Sequence, residues 1–279
     1  MVGSSIFQYD FIIKGLLGAV FASITAGLAG TYIVSRRMVF LSGGITHASF
    51  GGIGIGYFAG INPILGAAVF GILSALGVEY LSVRQKIRED SAIGILWAFG
   101  MATGIIFIYL TPGYAPDLMG YLFGSILTVT NADIIALGVM SVILILYFTV
   151  FYRTILYISF DEMFARTYSS YVDILKYVTT SLIALTIVLN IRMAGVILVL
   201  SLLTIPPNIA MLFTRSYFKI VIWSVIAGFT GTSAGYAISF FAGIPVGATV
   251  IFTLVILWIA AKIAQRITRK DMVEKANIV

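Results

Sequence analysis

Nine apolar runs, at about 11–35, 38–59, 63–82, 91–111, 132–152, 173–190, 194–214, 219–241 and 245–265, occupy most of this 279-residue chain. Most of them reach the roughly 20 residues that a helix needs to cross the hydrocarbon of a bilayer. Runs of that length exclude barrel strands of about 10 residues, and in lipid only a helix or a closed barrel satisfies every backbone N–H and C=O. The chain is therefore expected to be all-α: a polytopic membrane bundle of eight or nine transmembrane helices, in one domain over 1–279. Composition agrees, with 60% hydrophobic and 10% charged residues and a mean hydropathy of +1.08. Soluble domains carry about a quarter charged residues. There is no cysteine, which removes thiolate metal sites, structural disulfides and redox relays. The first run, Phe11 to Val34, is too long for the apolar part of a cleavable signal and lacks basic residues ahead of it, so it reads as a span.

Charge orients the spans. Arg36 and Arg37; Arg84, Lys86 and Arg88; Arg153, Arg166 and Lys176; Arg215 and Lys219; and Lys262 to Lys275 fall at every second junction. The alternate junctions carry Asn62-Pro63, Asp117, Asp133, Asn190 and Gly243-Ile244-Pro245, with only Lys14 and Arg192 basic. On this count 15 of the 17 lysines and arginines lie on one side, which is the cytoplasmic one. The net charge of +6 is thus a membrane-orientation signal and implies no nucleic-acid partner. Nine crossings put the N-terminus outside and the C-terminus inside.

Two connections exceed a turn. An external one covers 111–131, where Pro112, Gly113 and Pro116 break helix and Asp117 to Gly124 resumes a short apolar element. A cytoplasmic one covers 153–172. There Ser159 to Arg166 reads as a short amphipathic helix, with Ser159 as N-cap, Asp161 and Glu162 in the first turn, and Phe160, Met163 and Phe164 on one face. Such a helix serves either as an interfacial anchor in membrane lipid or as a docking knob for a soluble partner.

His47 is the only histidine, and it stands inside a glycine-rich apolar run, Ser42 to Gly56. Counting from Met38, it is roughly 13 Å into the span, near the bilayer midplane. An imidazole at that depth is costly unless it faces a bundle interior or a wet cavity, and its nitrogen suits divalent transition metals. Two readings stay open: a metal-pathway residue, or a neutral packing histidine bonded to Thr46, Ser49 or a carbonyl. On the adjoining face Ala48, Gly52 and Gly56 form a small-residue groove for close helix packing. Glu79, near the end of the third span, would snorkel to the interface, and Asp90 or Ser91 would cap the fourth. Pro206-Pro207-Asn208 would break a helix at depth and add an amide there. Asp10, Asp117 and Asp133 give the external face an acidic character.

Several motifs are absent. Without G-x-x-x-x-G-K-[ST] the chain binds no nucleotide through a P-loop, and without H-E-x-x-H it is no zinc protease. No G-x-S-x-G elbow accompanies His47, which leaves an intramembrane hydrolase as a remote alternative.

Taken in order, these segments resemble the permease family of zinc, manganese and iron ABC importers. Tyr32 to Met38 is similar to the stretch ahead of that family's G-D-x-[LI]-[ST]-H-A signature, and Ser42 to Ala48 falls on it. Gly51 to Gly60 with Asn62-Pro63 to Gly66 resembles its continuation, and Glu89 to Ile95 its E-D-x-x-I-G-I element. Tyr121 to Ser125 with Val129, Thr130 and Asp133, then Ser159 to Glu162 with Phe164-Ala165, then Gly195 with Leu202 to Pro206, follow the remaining pieces.

The resemblance implies a non-enzymatic permease of the bacterial inner membrane that binds no cofactor and transports a divalent metal. It further implies a homodimer, two separate ATP-binding cassette subunits, and an extracytoplasmic metal-binding protein. Phe160, Asp161, Glu162, Phe164 and Ala165 would couple to the ATPase, Asp117 and Asp133 would face the binding protein, and His47 would line the pathway. Three departures from the family stand out. Its aspartate four residues before the histidine is Gly43 here, Pro207-Asn208 replaces its small residues, with Asn208 expected to take a polar role, and Ser169 replaces a glycine. Loss of that carboxylate favours a softer cation, Zn²⁺ or Fe²⁺, over Mn²⁺. It also keeps open a same-fold permease for a metal chelate or small cofactor.

Overall fold

The computed structural model describes residues 10–112 and 129–276, so Asp117 and the Tyr121 to Ser125 motif lie outside the described residues. The elements are α1 (Asp10–Ser35), α2 (Val39–Phe58), α3 (Pro63–Val83), α4 (Glu89–Leu110), α5 (Asn131–Val150), α6 (Tyr152–Phe160), α7 (Glu162–Tyr168), α8 (Val172–Phe213), α9 (Tyr217–Ala242) and α10 (Val246–Ala276). Among the described residues there is no strand, and seven helices are long and apolar enough to cross a membrane. The 20-residue α2 is not one of the seven, because glycines and hydroxyls dilute it; it survives at depth by being wrapped, with 14 residues buried.

At 42 residues, α8 would be about 63 Å long if straight, twice the hydrocarbon thickness. It is not straight. Gly195 has φ 77° and ψ 161°, a conformation open to glycine, and the chain folds back there. Thr186, Ile187 and Asn190 before the break line the same small cavity as Val199, Leu202 and Leu203 after it. Met193 lies against Gly18 of α1 while Leu203 lies against Gly30, so the second limb returns along α1. Among the described residues, the two limbs and the seven other long helices make nine long helical segments. Gln265 of α10 donates to the Leu212 carbonyl, placing the end of α10 beside the end of that second limb.

The reversal at Gly195 falls close to the expected junction between the runs 173–190 and 194–214, but the further break expected at Pro206-Pro207 does not occur: both lie buried within continuous helix. Pro207 has no N–H for the Leu203 carbonyl four residues back. Gly30 explains the tolerance: without a side chain it brings α1 onto that carbonyl.

Many hydroxyls at depth are satisfied within their own helices. Thr31 Oγ1 donates to Gly27 O at 2.7 Å, Ser49 Oγ to Ile45 O at 2.7 Å and Thr186 Oγ1 to Leu182 O at 2.7 Å. Between helices, Asn190 Nδ2 donates to Thr25 Oγ1 at 3.1 Å. Of the Ala48, Gly52, Gly56 groove, Gly52 lies against the Gly66 backbone of α3 and Gly56 against Pro63, while Ala48 meets Gly100 of α4. Asn62 caps α3, accepting from Ile64 N at 2.9 Å, with Pro63 at the first helical position.

Three local expectations are corrected. Glu89 opens α4 and Arg88 precedes it without a side-chain cap; Asp90 instead pairs with Arg88 at 3.0 Å, and its Oδ1 accepts from Ser91 N at 3.0 Å. Ser159 is buried in α6, donating to Ile155 O, and Asp161 caps α7 by accepting from Phe164 N at 3.0 Å. Glu79 does not snorkel but is buried, in an ion pair described below. In each case another partner, from the neighbouring residue to a distant helix, competes for the side chain.

A Cβ on Gly52 would overlap the Gly66 backbone, whereas one on Gly43 would meet only Trp97 at 3.8 Å and Leu200 at 3.9 Å, ordinary contacts. Gly52→Val is therefore expected to lower the thermal midpoint of the purified protein by several degrees, through about 1–3 kcal/mol of overpacking. Gly43→Ala is expected to leave the midpoint unchanged or raise it slightly, as helix propensity improves by up to about 1 kcal/mol. A melting series in detergent, followed by size-exclusion fluorescence, checks both.

Candidate functional site

The face of α2 that bears His47 also bears Gly51 and Gly54, and these glycines determine how close α4 comes. Gly51 lies against Gly100 and Gly54 against Gly104, glycine to glycine across the pair. One turn along, this approach lays Trp97 of α4 flat on the imidazole. The two rings have centroids 4.4 Å apart and an interplanar angle of 6°. Trp97 covers one face of His47 yet is itself 36% exposed, and His47 is half-buried.

The ring nitrogens of His47 have no hydrogen-bond partner among the described residues. The hydroxyls expected to hold them are turned away, Thr46 toward the Ser42 carbonyl and Ser49 toward that of Ile45. A neutral imidazole in this setting keeps a lone pair free at its edge. Gly43, one turn earlier, leaves open space beside Trp97 and Leu200, so no carboxylate accompanies the imidazole. Among the described residues there is no group of three or more His, Asp or Glu side chains that could hold a metal. The arrangement leaves one imidazole edge open, a geometry that by itself suits passing contact with a cation better than long retention.

Asn208 is not part of this arrangement. It lies two turns beyond Leu200 on the second limb of α8, donates Nδ2 to Thr204 O at 2.7 Å, and lines a cavity of about 300 Å³ with Ile205, Val255 and Trp258. Lys262 stands over the Trp258 ring at 4.8 Å. Asp133 is mostly engaged inside the molecule. It completes a capping box with Thr130, accepting from Thr130 N at 2.8 Å, and pairs with Arg192 at 3.2 Å with 13% of its side chain exposed.

The loop of α6 and α7 has two sides. Outward, Phe160, Met163 and Phe164 are 64%, 76% and 51% exposed, with Tyr168 and Tyr171 beside them. Tyr157 packs edge-on against both Phe164 and Tyr168, so the aromatic patch is stiffened from beneath. Inward lie Ala165, fully buried, and Glu162. Of the residues expected to couple to an ATPase, Phe160 and Phe164 present an apolar surface, Asp161 is the helix cap, and Ala165 and Glu162 belong to the inner side. Ser169 ends α7 in extended backbone, φ −145°, so a serine costs nothing where the family has glycine.

Glu162 is the centre of a charge cluster. Its Oε2 accepts from Lys176 Nζ at 2.9 Å and from Arg36 at 3.3 Å, and its Oε1 from Arg166 at 2.9 Å. Lys176 also reaches the buried Glu79 at 3.5 Å, Thr180 donates to Glu79 at 3.1 Å, and Arg166 pairs with Asp173 at 2.7 Å. Burial pushes the Glu162 carboxyl upward, but the hydrogen bonds from Lys176 and Arg166 outweigh it and hold the group below the usual carboxylate range. Sequence reading singled out Glu162 but missed its partners. The available signal was that Glu79 and Lys176 are charges inside apolar runs, which require partners.

A model of the ABC 3 transport family matches residues 8–265. The chain is 38% identical over 252 residues to the membrane protein slr2045 of Synechocystis, covering 90% of each. It is 32% identical over 254 residues to the manganese transport system membrane protein MntC of Listeria monocytogenes, covering 91% of this chain and 90% of that one. Among solved structures, a chain of PsaBC from Streptococcus pneumoniae in complex with Fab superposes with a TM-score of 0.81 at 28% identity, over 92% of both chains. A chain of an inward-facing ABC transporter of metal-chelate type gives 0.71 at 17% identity, over 90% of this chain and 85% of that one, a likeness of fold alone. These relatives and the apolar helices describe a multi-pass protein of the bacterial inner membrane. The chain belongs to the ABC 3 transport family and is a permease of the metal ABC transporter type.

Proposed function

We propose that this chain is the single-domain transmembrane subunit of an ATP-driven importer for a divalent metal ion, working as a homodimer. Two separate ATP-binding subunits would dock on the α6–α7 loop, and an extracytoplasmic binding protein would deliver the ion on the opposite face. One observation carries the reading: the free imidazole edge of His47, held flat against Trp97 beside the open space at Gly43. A lone imidazole exchanges a borderline cation readily, as a translocation path requires, and a second copy across the dimer would supply a second nitrogen. Asn208 would add a polar contact further along, in its cavity with Trp258. Asp117 and the partly exposed edge of Asp133 would contribute negative potential for cation delivery.

The metal is argued from two sides. The relative of Listeria is described as a manganese transport protein, so Mn²⁺ is the first ion to test. The absence of a carboxylate at Gly43 favours the softer Zn²⁺ or Fe²⁺ on chemical grounds. That same open space beside His47 supports the second reading, a metal chelate as cargo.

In proteoliposomes holding the permease, its ATPase and binding protein, His47→Ala is expected to reduce ATP-dependent uptake at least tenfold while the complex still assembles. Uptake of Mn²⁺, Zn²⁺, Fe²⁺ and a chelate measured side by side identifies the cargo, and unaltered uptake of all of them would overturn the role of His47. Phe160→Ala with Phe164→Ala is expected to weaken ATPase binding or to free hydrolysis from transport. A double variant with normal binding and normal coupling would refute the docking role.

A further inference from the structure

We infer that Glu162 is the tie through which movement of the α6–α7 loop reaches the membrane-spanning helices, a positioning residue on the inner side of the loop. This deepens the importer reading above and rests on it. Docking of a soluble subunit on Phe160, Met163 and Phe164 pushes and pulls a seven-residue helix, α7, that has one fully buried side chain, Ala165. Apolar contact transmits a push but parts easily under tension. A charge-assisted hydrogen bond resists both, and Glu162 makes such bonds to two different spans.

The geometry of the tie is specific. Oε2 takes Arg36, one residue past the end of α1, and Lys176, in the second turn of α8. Lys176 carries the connection on to Glu79 near the end of α3, where Thr180 holds the other carboxylate oxygen. Arg36 is itself fixed by donating to Tyr32 Oη at 3.1 Å. The next residue, Arg37, has φ 60°, a left-handed backbone uncommon for a side-chain-bearing residue, and from there the chain enters α2 with His47. One carboxylate thus joins the loop to α1, to α8 and through Lys176 to α3, at the turn that leads into the helix bearing the pathway ligand. Arg166 stays with the loop, clamped between Glu162 and Asp173, and sets the carboxylate's rotamer from the outer side.

The test uses the full complex in nanodiscs or proteoliposomes. Glu162→Gln keeps the shape but removes the charge, and the metal moved per ATP hydrolysed is expected to fall at least tenfold. Glu162→Asp, which keeps the charge on a shorter stem, is expected to recover part of that loss. A purely structural role would lower the melting temperature of the glutamine variant without altering the ratio, and that result overturns the proposal. A second measurement needs no cargo. Because the chain has no cysteine, spin labels can be placed at Phe40→Cys and Thr167→Cys, and the distance between them followed with and without ATP. With Glu162 present the distance is expected to stay narrow and constant through the cycle, and in Glu162→Gln to broaden and shift with ATP. A distance that is equally narrow in both would overturn the tie. If the unsubstituted complex moved no metal, the importer reading would fail alone, since the label distances read the tie independently.

Discussion

Hydrocarbon offers no water to an unpaired peptide group, and the rest of this structure depends on that. Each span must close its own backbone hydrogen bonds, which is why helix is the element throughout the described residues, and why many serines and threonines of the core, Thr31, Ser49 and Thr186 among them, turn back on carbonyls four residues earlier. The same rule explains where irregularity is permitted. The reversal at Gly195 is enclosed between α1 and the two limbs of α8, and the carbonyl left over by Pro207 is covered by Gly30. Neither faces lipid.

Close packing follows from the same setting. Apolar side chains gain little from leaving lipid for protein, so helices are held together by contact and approach. The glycines of α2 let α3 come in along one face and α4 along another. The consequence is chemical as well as structural. Only because Gly51 meets Gly100 and Gly54 meets Gly104 can Trp97 lie flat on His47, covering one face of the ring and leaving its edge open. Packing here makes the candidate site by what it leaves unpaired.

At the basic face the logic reverses, since charge and not contact holds the parts together. Three cations, Arg36, Arg166 and Lys176, interlock with Glu79, Glu162 and Asp173, so burial of Lys176 and Glu79 is compensated on both sides. Removing one partner from a buried pair typically costs about 3–5 kcal/mol, because the other charge is left stranded. The loop that carries the exposed aromatic patch is therefore fastened at a few points, each a directed bond. Such fastening suits an element that must move as a unit with the ends of several helices.

The order of the spans was readable from the sequence, because hydropathy acts locally along a chain facing a uniform solvent. The two-sided loop was readable in part: Phe160, Met163 and Phe164 are exposed together as their spacing required, though the cap is Asp161 and not Ser159. Tertiary structure alone decided the partners. Nothing local told Glu79 to pair with Lys176, Asp133 with Arg192, or His47 with Trp97, since each pair joins helices that meet only in the folded bundle. Sequence placed the junction near Gly195 but wrongly added a break at Pro206-Pro207. At Pro207 a neighbouring helix covers the Leu203 carbonyl left unbonded, and a compensation supplied across space leaves no mark along the chain.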